Sequence, residues 1–225
     1  MKSLLLTCLL VGTVCFLSAC GTSTKVLGGS DVYTSEPQIL SDIQINSLRV
    51  RHISLKKDSC TSGRSEHLEL SGPIGPDSSE VVSRVLSQVK PCKVNESKAI
   101  LLNSSGGLLK DGYKLGQIFK NAQASTMVAG GQVCASSCAI AFLGGTYRYM
   151  VRDAKLIFHA PYLPSDSSIE CKSKSESQEL KGYFASFMGE KDGNFLFDRT
   201  MSFCSRSEGW TINSDAAKLF GITTP

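Results

Sequence analysis

Between residues 66 and 107 the spacing of apolar residues changes twice, and those changes confine the chain to the α/β class. His67-Leu68-Glu69-Leu70 alternates and stops at Gly72-Pro73, the pattern of a strand running into a turn. Asp77-Ser78-Ser79-Glu80 then offers a helix start with acid in the first turn. Val81, Val82, Val85, Leu86 and Val89 follow at helical spacing and give one apolar face, which Pro91 ends. Ala99-Ile100-Leu101-Leu102 is a short unbroken apolar run, as expected of a strand buried on both faces. The three pieces make a βαβ unit.

The same alternation continues downstream. Asn103-Ser104-Ser105-Gly106-Gly107 follows the second strand, and its glycines permit backbone angles that other residues resist. A second helix carries Leu108, Leu109, Tyr113, Leu115, Ile118 and Phe119 as its apolar positions. Thr126-Met127-Val128-Ala129 then reads as a strand that leads to Cys134-Ala135-Ser136-Ser137-Cys138 and a small-residue helix over 139–143. Strands are expected at 147–151 and 155–158, the latter delivering His159-Ala160-Pro161, followed by a polar loop over 162–175. Leu180, Tyr183, Phe184, Phe187 and Met188 mark an amphipathic helix, continued over 195–201 after a break at 189–193. A short helix over 214–220 ends at Gly221. Ahead of the βαβ unit, strands are expected at 43–48 and 50–55.

Residues 1–20 stand outside this pattern. Lys2 precedes an apolar run over 4–17, too short and too closely followed by polar sequence for a membrane span. The run ends in Leu17-Ser18-Ala19-Cys20, which resembles the lipobox of bacterial lipoproteins. That resemblance implies cleavage before Cys20, lipidation of Cys20, and a chain held to the membrane of the bacterial cell envelope. With Gly21 after Cys20, a Gram-negative host would place it on the periplasmic face of the outer membrane. Residues 21–42, rich in Gly, Ser, Thr and Asp, read as a tether, leaving 43–225 as a single domain.

Charge and cysteine content narrow the function. The chain has 24 basic against 20 acidic residues, without a basic run, so no nucleic-acid partner is expected. Six of the nine cysteines lie beyond the leader: Cys60, Cys92, Cys134, Cys138, Cys171 and Cys204. An even number in an exported chain reads as disulfides, with the connectivity open. The expected pairing joins Cys60 to Cys92 and Cys171 to Cys204, leaving Cys134 for Cys138. A zinc site is not expected, because Cys134, Cys138 and His159 supply only three ligands. No metal and no other cofactor are expected. Cys-x-x-x-Cys also lacks the spacing of a redox pair.

Three motifs in order carry a family resemblance. Ile100-Leu101-Leu102-Asn103-Ser104-Ser105-Gly106-Gly107, then Ala135-Ser136, then Phe158-His159-Ala160-Pro161 resemble the proteolytic subunit of the Clp protease, within the ClpP/crotonase superfamily. The likeness runs over residues 66–221 and includes the final helix and glycine turn. The Cys-Ala-Ser-x-Cys core resembles an exported branch of that superfamily. The resemblance implies a spiral of βαβ units with helices flanking the sheets. It also implies roles: Ser136 as nucleophile, His159 as general base, and an oxyanion hole from the Ser137 N–H and the Gly106–Gly107 pair. Such chemistry needs a base to activate a neutral serine and fixed N–H donors for the oxyanion. The acid that orients the histidine should fall at Gly209-Trp210, where there is none; Glu208 is the nearest acid and Asp198 lies upstream.

Two functions follow as expectations. The first is an envelope serine hydrolase, a peptidase acting on peptide or protein substrates through a Ser136–His159 pair, with Glu208 as a candidate third member. The second is a catalytically silent binding or assembly module on the same fold. Homo-oligomers are compatible with either. A crotonase-type acyl-CoA enzyme would share the fold, but its usual substrate is cytoplasmic. An ATP-driven partner is not expected where ATP is lacking. The plainest alternative for Ser136 or Ser137 is a helix N-cap.

Overall fold

The computed structural model describes residues 36–163, 170–205 and 208–225. The expected leader with Cys20, and the tether through residue 35, lie outside the described residues. In chain order the elements are β1 (Gln38–Ile45), β2 (Leu48–Lys56), β3 (Arg64–Ser71), α1 (Ser78–Gln88), β4 (Ala99–Asn103) and α2 (Leu109–Asn121). Next come β5 (Ser125–Val128), β6 (Val133–Ala135), α3 (Ser137–Phe142), β7 (Arg148–Met150) and β8 (Lys155–Phe158). The chain ends with β9 (Tyr162–Leu163), β10 (Glu170–Cys171), α4 (Gln178–Met188), α5 (Glu190–Met201), β11 (Trp210–Ile212) and α6 (Ser214–Leu219).

A six-stranded sheet has the order β1-β2-β3-β4-β5-β7. Its first two pairings are antiparallel, and β3 through β7 run parallel, each crossing over through helix-bearing segments. A second sheet, β11-β8-β6, branches off at the carboxyl end of β4, where Ser104 bridges to Cys134. The expected βαβ unit is therefore present, with Leu68 and Leu70 of β3 beside Ile100 and Leu102 of β4. Those four side chains are buried with Val82, Val85, Leu86 and Val89. Each such burial contributes about 1.5–3 kcal/mol, which is why this face sets the register.

Four expectations change, the first being that the segment read as a polar loop over 162–175 carries the antiparallel pair β9–β10. The run at 99–102 is fully buried on one face only: Ala99 and Leu101 are half-buried, on the face where Glu69 pairs with Arg51 and His67. β1 begins at Gln38, within the stretch expected as tether, because pairing with β2 satisfies a backbone whose side chains stay largely exposed. The break between α4 and α5 shortens to Gly189, at φ 79°. All three expected disulfides are present: Cys60–Cys92, Cys134–Cys138 and Cys171–Cys204.

Candidate active site

The site forms where the second sheet meets the end of β4. β6 pairs in parallel with β8, so Ala135 faces Ile157 and the two strands end side by side. The chain turns from β6 into α3 at Ser136, whose N–H donates to the Ile157 carbonyl at 2.8 Å. His159 lies two residues beyond that carbonyl. The turn brings the expected nucleophile and base to the same edge, over the Asn103–Gly107 loop.

Ser136 adopts φ 54° and ψ −125°. For a residue with a Cβ this is a sparsely populated conformation, costing about 1–3 kcal/mol. A helix cap has no need of it, although Ser136 does occupy the N-cap position of α3, its carbonyl accepting from the Ile140 N–H at 3.1 Å. No side chain caps α3. The Ser137 hydroxyl is buried without a hydrogen-bond partner. The N-cap reading therefore holds for the position of Ser136 but not for the hydroxyl of either serine. The Cys134–Cys138 disulfide closes around the turn, with both residues buried and their Cα atoms 5.2 Å apart.

The glycine pair packs onto the turn. Gly106 sits at φ 91°, and a Cβ there would lie 2.5 Å from the Ala135 carbonyl oxygen and 2.7 Å from Ser136 Cβ. Gly107 lies at φ 149°, where a Cβ would strike the Ile74 carbonyl. The two glycines differ in what they can donate. The Gly106 N–H is taken by Ser104 Oγ at 3.0 Å. The Gly107 N–H makes no hydrogen bond among the described residues. Ser137 is the first residue of α3, so its N–H has no intrahelical partner either. It stands 3.0 Å from where a Gly106 Cβ would be. Gly107 and Ser137 thus keep unpaired N–H groups among the described residues, and Gly106 permits the close packing by its lack of a side chain.

His159 is half-buried, and its ring stacks on Tyr162 with centroids 5.5 Å apart. Its Nδ1 lies 3.0 Å from the Ala160 carbonyl oxygen. A carbonyl can only accept, so this contact puts a proton on Nδ1, and in the neutral ring the lone pair is then on Nε2. No acid bonds His159 among the described residues. Gly209 follows on the chain from Glu208, and β11 pairs antiparallel with β8 from Trp210 opposite Phe158. One step beyond that pairing, the residue across from His159 is Gly209. Glu208 instead helps line the same cavity as His159. Asp198 is far from any such role, because its exposed carboxylate pairs with Lys174 at 2.6 Å.

That cavity has a volume of about 460 Å³. Val133, Ala135 and Ile157 line it from the second sheet, Asn103 from the end of β4, and Ser104 and Ser105 from the loop that follows. Ser136 is not among its lining residues, and its Oγ makes no hydrogen bond to His159 among the described residues. Catalytic hydrogen bonds in ligand-free sites are often long and tighten with substrate. Beneath the turn, Tyr183 Oη donates to the Ile140 carbonyl at 2.9 Å. Burial pushes its phenol well above the ordinary range, so this strut stays protonated. The Ala160 carbonyl and the Ser104 hydroxyl were not foreseen from the sequence. Only the Asn103-Ser104-Ser105-Gly106-Gly107 motif pointed at Ser104.

No protein-family model matches the chain, and no curated protein matches it. Solved structures do. A mutant of the membrane-bound stomatin-specific protease 1510-N aligns with a TM-score of 0.53 at 14% identity, over 69% of this chain and 75% of that one. A second mutant of it, in complex with a substrate peptide, gives 0.53 at 16% identity, over 69% and 71%. A mutant ClpP1 from Listeria monocytogenes gives 0.50 at 19% identity, over 69% and 86%. The chain has the ClpP/crotonase-like fold, the α/β spiral that its three motifs implied.

Proposed function

We propose that the protein is a serine hydrolase, and specifically a peptidase, working through a Ser136–His159 dyad. The observation that carries this reading is the strained Ser136 turn, held by a disulfide beside two unpaired N–H groups. His159 Nε2 takes the Ser136 proton as Oγ attacks the acyl carbon. The Gly107 and Ser137 N–H groups receive the oxyanion. His159 then returns the proton to the leaving amine, and water releases the acyl group by the same route. The Ala160 carbonyl does the orienting that an acid does in a triad, by fixing the histidine tautomer. The peptide-bound stomatin-specific protease supports a peptide substrate for this fold.

The test is labelling with a fluorophosphonate probe. Wild type should become covalently modified at Ser136, and Ser136→Ala should not. Equal labelling of both would end the nucleophile assignment. The second reading, a silent binding module, is favoured by the missing acid and the missing Ser136–His159 hydrogen bond. Absence of labelling in a folded wild-type sample would select it.

The location belongs to the same proposal. The Leu17-Ser18-Ala19-Cys20 motif and three disulfides suit a lipid-anchored protein of an oxidising envelope compartment. Cys20→Ser should leave the chain unacylated and move it from the membrane to the soluble fraction, because the acyl chains supply the affinity. An unchanged mass and distribution would remove the anchor.

A further inference from the structure

We infer that the cavity beside the Ser136 turn receives a basic side chain of the substrate, with Glu208 as its charged partner. The inference rests on the peptidase reading and names the substrate class of that site. Among the described residues lining the cavity, Glu208 carries the only carboxylate, and there is neither lysine nor arginine. Its side chain is exposed and has no hydrogen bond or ion pair among the described residues; only its backbone N–H is engaged, at Ser205 Oγ. Arg199, which precedes Glu208 on the chain, lies over the rings of Trp210 and Phe203.

The work that would have explained a carboxylate here is already done. The Ala160 carbonyl holds His159 Nδ1, so Glu208 is free of the orienting role. The rest of the lining fits the shape of a lysine or arginine side chain. Val133, Ala135 and Ile157 offer apolar surface for its methylene stem. Glu208, Asn103 and Ser105 offer oxygens for its cationic head. Long basic side chains bury their stems and keep the charge at a polar rim in this way. Ala135 is covalently joined to Ser136, so a side chain held there sits next to the bond under attack. An uncharged or acidic side chain in the same place would leave Glu208 unpaired or repelled, which is the source of discrimination.

The test measures binding, so that it does not depend on turnover. Full-length Ser136→Ala in detergent micelles is titrated with labelled peptides that differ at one position, carrying Lys, Arg, Leu or Glu. The Lys and Arg peptides should bind about fivefold more tightly than the Leu peptide, the scale of one partly exposed ion pair. Adding Glu208→Gln should erase that preference, Glu208→Asp should keep part of it, and Glu208→Lys should transfer it to the Glu peptide. Equal affinity for all four peptides with Glu208 intact would overturn the inference. So would a preference that survives Glu208→Gln. Fluorophosphonate labelling of the protein with Ser136 intact separates the two claims. Labelling without a basic preference defeats this inference alone, and a basic preference without labelling defeats the peptidase reading alone.

Discussion

On the proposed mechanism, Ser136 sets stability against function in one residue. Its φ of 54° and ψ of −125° suit glycine, which lacks the Cβ that makes such angles costly. Ser136→Gly and Ser136→Ala both remove the hydroxyl, so their difference isolates the backbone strain. Ser136→Gly should be more stable than Ser136→Ala by about 1 kcal/mol in urea denaturation, with neither labelled by a serine probe. Equal midpoints and slopes would mean that the turn is not strained. Ser136 and His159 could be singled out because each sits in a recognisable motif, His159 at the end of an apolar run and Ser136 between two cysteines ahead of a small-residue helix. The division of labour between Gly106 and Gly107 was not, because it depends on where a backbone N–H points. The Ala160 carbonyl was hidden for the same reason: a main-chain acceptor leaves no mark in the side-chain sequence. Glu208 could be reached only by counting back from Gly221, which gave its neighbourhood but not its separation from the histidine's donor.

At the scale of elements, the disulfides divide between those that stabilise the fold and the one that shapes the site. Cys60–Cys92 and Cys171–Cys204 close segments of 32 and 33 residues, whereas Cys134–Cys138 closes only 4. On the chain-entropy account each long bridge contributes about 4 kcal/mol and the short one about 2 kcal/mol. Replacing Cys60 and Cys92 by Ala should therefore lower stability more than replacing Cys134 and Cys138. Labelling of Ser136 should show the opposite order, measured where all variants are folded, because only the short bridge spans the turn. Labelling lost equally from both double variants would deny the short bridge its local role. The long amphipathic helices and the βαβ unit were legible, since several turns of apolar residues share one face. β6 and β11 were not, because three residues carry too little periodicity to separate a strand from a loop. Gln38–Asp42 was likewise read as tether, since its polar, exposed side chains give no sign that the backbone pairs with β2.

For the whole molecule, the end of the chain returns to the free edge of the six-stranded sheet. The Thr224 N–H donates to the Arg148 carbonyl on β7, and the Arg148 N–H donates to Thr224 Oγ1. The Arg148 guanidinium donates to the Ile222 carbonyl at 2.6 Å and reaches the carbonyls of Gly221, Leu143 and Gly145 at 3.4 Å. One side chain thus ties the C-terminal turn, the end of α3 and the sheet edge together, and covers an edge that would otherwise invite pairing with another chain. Burial lowers the Arg148 pKa, yet a guanidinium stays charged at any ordinary pH, so the clamp does not open on titration. Arg148→Met keeps an apolar stem of similar length and removes every side-chain donor. It should cost about 2–3 kcal/mol in denaturant, the range for losing charged hydrogen bonds and leaving carbonyls without partners. Hydrogen exchange locates the loss: the Thr224 amide should lose protection while amides of β3 and β4 keep theirs relative to global unfolding. Full protection of Thr224 in Arg148→Met would show that the buried Ile222 side chain holds the C-terminus without the guanidinium.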